Sequence, residues 1–137
     1  MNKLFDWPTR LNKYFDECAF KEFEYGVFDC ALFVADGIQA MTGVDILSKY
    51  RGKYRNEEEA KFLIIHFDLS SDLPLQASFD KIINFIADEY KFKNVTKNFV
   101  PRGGIVLMDE MFSNSLGLVD LSGRAIICPD RKSTRLN

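Results

Sequence analysis

The chain has 137 residues, nearly half of them apolar, with 13 phenylalanines and a formal net charge of −2. That is enough chain to bury the core of one domain and too much apolar content for a disordered segment. With charge close to zero and no basic tract, nothing recommends nucleic acid or an anionic membrane surface as a partner.

The opening stretch MNKLFDWPTR lacks the apolar run of a secretion signal, because Asp6 and Pro8 interrupt it at once. No apolar run approaches membrane-spanning length, so no membrane insertion is expected. A first helix is expected from about Pro8, a favoured first-turn residue. Within it Leu11, Tyr14, Phe15 and Cys18 recur at helical spacing and predict one buried stripe, on which Cys18 is a small core residue.

The next element carries the most chemistry. In EYGVFDCALFVADGIQAMTG (24–43), Asp29 is a good N-cap and Gly43 a good left-handed C-cap, which predicts a helix over 30–42. Cys30 then becomes its first residue, beside unpaired backbone N–H groups and the positive end of the helix dipole. Such a place favours a thiolate. Cys30, Phe33, Val34, Ile38 and Met41 are spaced to line one face, while Ala31, Ala35 and Gly37 allow close backbone approach. Cys30 has three readings at this point: a small buried core residue, a reactive thiol without hydrolytic function, or a nucleophile.

A turn-rich connection, VDILSKYRGKYRN, follows, in which Asp45 and Arg51 predict a salt bridge that holds the loop. A third helix opens at Asn56, with Glu57, Glu58 and Glu59 complementing its dipole rather than binding metal. A fourth helical pattern covers 78–90, with Phe79, Ile82, Ile83 and Ile86 as its apolar side. After Pro101 the period shortens to that of strands: GGIVLMD, SLGLVDL and RAIIC, the last two joined by a tight turn at Ser122-Gly123. Helices followed by a small antiparallel sheet define an α+β fold.

The three cysteines, Cys18, Cys30 and Cys128, have no metal-ligand spacing, suit a reducing compartment and predict no structural disulfide. No metal or cofactor is expected. The last eight residues, DRKSTRLN, read as the translation of a sequencing-adapter oligonucleotide. The expected organisation is one domain over 1–129 and a non-native tail over 130–137, with the natural coding sequence cut near Pro129.

A helix-initiating Asp-Cys pair followed by small and apolar residues, and later a Gly-initiated strand with a partner, resembles the NlpC-type cysteine peptidases. WPTRL, FDCALFVADGIQAMTGVD, RGKY and RGGIVLMD…LGLVD together resemble, more closely, an uncharacterised NlpC-like family carried by phages and prophages near tail genes. The resemblance covers residues 7–129. It implies a papain-like fold, with the cysteine at a helix N-terminus packed on the sheet, and peptidoglycan peptides or phage tail components as partners. It also implies synthesis in the host cytoplasm and a place in the virion tail.

The same resemblance carries individual positions over. Cys30 matches the nucleophile and Asp29 the cap beside it. Gly104 stands where an aspartate is expected, and Ser115 where the catalytic histidine belongs. The orienting third residue should fall near 124–128, and no obvious candidate stands there. A cysteine hydrolase needs a base for the thiol and an acid for the departing amine, and serine supplies neither. The lone histidine, His66, is read as the edge of an apolar helix or as an unorthodox base. Trp7 and Tyr25 are candidate binding residues, as an aromatic wall near the cysteine or as core. Three functions follow: an incomplete hydrolase of the tail or its assembly, an active peptidase or amidase on murein peptides, and a structural adaptor.

Overall fold

The computed structural model describes residues 2–63, 84, 87–93, 95, 99–108 and 115–129. Helix α1 (Trp7–Cys18) starts with Pro8 in its first turn and buries Leu11, Tyr14 and Cys18, with Phe15 partly buried beside them. The stripe expected from spacing is therefore its inner face. Helix α2 (Cys30–Thr42) begins at its Asp29 cap and ends at Gly43, whose φ of 82° supplies the left-handed turn. It is buried at more than the positions expected: Leu32 is enclosed along with Cys30, Phe33, Val34, Ile38 and Met41, and with Ala35, read from sequence as a close-approach position. The reason is that α2 has neighbours on two sides, helix α1 and the sheet.

Helix α3 (Glu57–Leu63) is capped by Asn56, whose side-chain oxygen accepts the Glu59 N–H at 2.8 Å. Of the helix expected over 78–90, Asn84 and residues 87–89 are helical and Tyr90 lies in the closing turn. Its remaining positions, including the whole apolar side, lie outside the described residues, as do His66 and 130–137. The turn after residue 89 is closed by Lys91 at φ 60°, with the Phe92 N–H donating to the Ala87 carbonyl.

Strands β1 (Ile105–Met108), β2 (Ser115–Val119) and β3 (Ile126–Ile127) form one antiparallel sheet with β2 in the middle. The β2–β3 turn is the one expected: the Gly123 N–H donates to the Asp120 carbonyl, and the Asp120 carboxylate accepts from Ser122. Helices with one small antiparallel sheet make the fold α+β.

Both layers meet α2 at Gly37. A Cβ there would overlap Leu118 of β2 and touch the Tyr14 ring of α1. Tyr14 also donates its hydroxyl to the Phe33 carbonyl at 2.7 Å, which ties α1 to a backbone group of α2. Among the described residues no helix is long and apolar enough to cross a membrane.

Candidate functional site

The site is built around the first turn of α2. Asp29 is extended (φ −119°, ψ −178°), the backbone of a residue entering a helix, and its Oδ1 accepts the Leu32 N–H at 2.8 Å. Its Oδ2 accepts the Gly26 N–H at 2.9 Å and the Tyr54 hydroxyl. At 3 % exposure this is the buried charged side chain among the described residues, and three donors offset the loss of water around it. Cys30, next in the chain, is buried as the first residue of the helix.

The turn before the cap is folded back on itself. Glu24 and Phe28 exchange backbone hydrogen bonds, and Gly26 sits at the tip with φ 82°. This tip docks onto segment 50–54. The Gly52 N–H donates to the Gly26 carbonyl at 2.8 Å, and a Cβ on residue 26 would collide with the Tyr54 carbonyl. The stretches FDC and RGKY, far apart in the chain, thus form one clamp at the start of α2.

Arg51 anchors the other side of that clamp. Its guanidinium grips Asp45 with two nitrogens, Nε at 2.8 Å and Nη2 at 3.1 Å, and reaches Asp36 on α2 as well. The salt bridge expected between Arg51 and Asp45 is present, and Asp36 extends it to the helix. The Arg51 hydrogen bonds hold the Asp45 carboxyl below its ordinary value. At Tyr54, burial first and the Asp29 charge second push the phenol far above its ordinary value. It stays protonated and remains a donor.

The direction of β2 bears on Ser115. Leu118 lies against Gly37, while Gly103, bonded to the Val119 carbonyl at 2.8 Å, lies beside Met41. The strand therefore runs in the same direction as α2. From Leu118 back to Ser115 it covers about 10 Å, and α2 from Gly37 back to Cys30 covers about 10 Å. Backbone position 115, paired with Met108, is carried toward the end of α2 where Cys30 stands.

Trp7 and Tyr25 are not brought together. Trp7 lies by Gly103 at the Met41 end of α2, about 16 Å along the helix from Cys30, with Lys3 and Arg102 over its ring. Tyr25 belongs to the turn beside the cap and packs edge-on against Phe23. At Gly104 a Cβ would meet the Pro101 carbonyl oxygen at 2.8 Å and Val100 at 2.7 Å, so this turn has no room for an aspartate. Around the expected third position stand Ile126 and Ile127 of β3 and the buried Cys128. None of the three cysteines is disulfide-bonded. Among the described residues, no group of three or more His, Cys, Asp or Glu could hold a metal ion.

Sequence reasoning gives Tyr54 no role. It enters only as the last residue of the RGKY block, and a buried Asp29 in need of donors would have pointed to it. Residues 2–136 match a family described as Domain of unknown function (DUF6950). No curated protein and no solved structure matches.

Proposed function

The chain belongs to that family of unknown function, and we propose that it is a papain-like, NlpC-type protein of phage or prophage origin with an incomplete cysteine-hydrolase site. In this reading it serves the phage tail or its assembly rather than cutting murein. The observation that carries the reading is the position of Cys30. It is the first residue of the central helix, an antiparallel sheet packs on that helix, and the middle strand starts toward the cysteine's end of it.

A thiol so placed still needs a group that can take and return a proton near neutral pH. Ser115 stands where the resemblance puts the histidine, and its hydroxyl does not titrate in that range. Losing such a partner costs about a hundredfold to ten-thousandfold in rate. The crowded turn at Gly104 also departs from the hydrolase pattern.

Two measurements test the reading together. Purified peptidoglycan incubated with the protein should release no new peptide termini, and the protein should co-purify with tail components of the encoding phage. Release that Cys30→Ala abolishes would overturn the reading in favour of an active peptidase, with His66 as the first base to replace.

A further inference from the structure

The Asp29 carboxylate has more donors than a helix cap needs. The Leu32 N–H completes the cap, and the Gly26 N–H closes the turn that leads into it. The third donor, the Tyr54 hydroxyl, comes from a segment 25 residues further on. That segment is already held by backbone, through the Gly52 N–H on the Gly26 carbonyl and the close approach of Gly26 to the Tyr54 carbonyl. The hydroxyl is therefore not required to dock the segment. What it adds is a hydrogen-bond donor on a buried negative charge, one residue from Cys30.

We infer that Tyr54 is a positioning residue for Cys30, drawing off part of the charge on Asp29, the residue that precedes the cysteine at the head of α2. The inference rests on the reading of Cys30 as the chemical residue of the site. A carboxylate next to a thiol opposes its ionisation, and a donor on that carboxylate relieves the opposition. Among the described residues, the other charged and titratable groups around this end of α2 are few. Lys21 lies over the Phe28 ring at 5.6 Å, Glu24 is in the turn, and Arg51 is engaged by Asp36 and Asp45. From α1, Tyr14 is bonded to the Phe33 carbonyl, and Cys18 is buried near it. Strand β2, SLGLV, carries no ionisable side chain.

The test is a pH titration of the full chain labelled with ¹³Cβ-cysteine, the three signals being assigned with Cys18→Ser and Cys128→Ser. Tyr54→Phe keeps the ring and removes the donor. It should raise the Cys30 midpoint by about half a pH unit, roughly a threefold loss of thiolate at a given pH. Asp29→Asn should lower the midpoint, and in that background Tyr54→Phe should have no further effect. Circular dichroism checks that each variant keeps its helices. If Asp29→Asn does not fold, the Tyr54→Phe shift decides alone. An unmoved midpoint in Tyr54→Phe, or an equal shift with and without the Asp29 charge, overturns the role of Tyr54 and leaves the hydrolase-like reading standing. A Cys30 that titrates no earlier than Cys18 and Cys128 overturns both.

Discussion

Leu118 of β2 lies against Gly37 of α2 so closely that a Cβ on residue 37 would overlap its Cδ1. Leu118 is fully buried, and this contact joins sheet to helix. In an open helix, glycine to alanine stabilises by up to about 1 kcal/mol. Here Gly37→Ala should destabilise by about 1–3 kcal/mol, because the added methyl forces the core to shift. Urea denaturation gives the sign. Leu118→Val in the Gly37→Ala background should recover part of the loss, and a stabilised Gly37→Ala would show that the two layers are not in contact at this point.

Two glycines with the same φ separate backbone strain from collision. Gly43 and Gly26 both have φ 82°, but a Cβ meets nothing within 4 Å at Gly43 and meets the Tyr54 carbonyl at Gly26. Gly43→Ala should cost about 1 kcal/mol, the left-handed penalty alone. Gly26→Ala should cost at least about 1 kcal/mol more, because the clamp must open to admit the methyl. Equal losses in chemical denaturation would mean that Gly26 does not touch segment 50–54.

The Arg51 anchor predicts a pH dependence of stability. Hydrogen bonds from Arg51 hold the folded Asp45 carboxyl below its ordinary value. A depressed carboxyl contributes stability that is present above its unfolded pKa, about 3.9, and is lost as pH falls through the folded value. Arg51→Met should therefore be less stable than the parent by about 1 kcal/mol near neutral pH. The gap should close as pH falls below about 4. Thermal melts of both proteins from pH 7 to pH 3 would show it, and a gap that stays constant would assign the loss to packing instead.

The direction of β2 makes Ser115→His informative. An imidazole carried on that strand end toward Cys30 should form an ion pair with the thiolate when protonated, so that Cys30 alkylates faster at mildly acidic pH. Ser115→Gln has bulk without titration and should not. Cys18 serves as the internal control, because burial pushes its thiol up and should keep it slow. Mass spectrometry of the alkylated peptides reads all three cysteines in one sample. An unchanged Cys30 rate in folded Ser115→His would withdraw the histidine position from Ser115.

Much of the local structure was legible from residue types. The start of α2 follows from an aspartate ahead of an apolar run, and its end from Gly43, because caps depend on residues adjacent in the chain. The strands and the Ser122-Gly123 turn follow from period and turn chemistry in the same way. Burial of α2 was only half legible. Periodicity reports one apolar face, whereas Leu32 is enclosed as well because helix and sheet meet α2 from different sides.

The candidate site divides along the same line. That a cysteine stands at a helix N-terminus behind an aspartate, with Arg51 and Asp45 paired in the following loop, is written in neighbouring residues and needs only local rules. That Trp7 and Tyr25 lie at different ends of α2, that Gly104 has no room for a side chain, and that Tyr54 reaches Asp29 were decided by packing. These relationships join segments distant in the chain. The buried Asp29 charge requires donors, but it does not specify which segment provides them, and only the folded position of residues 50–54 makes that choice.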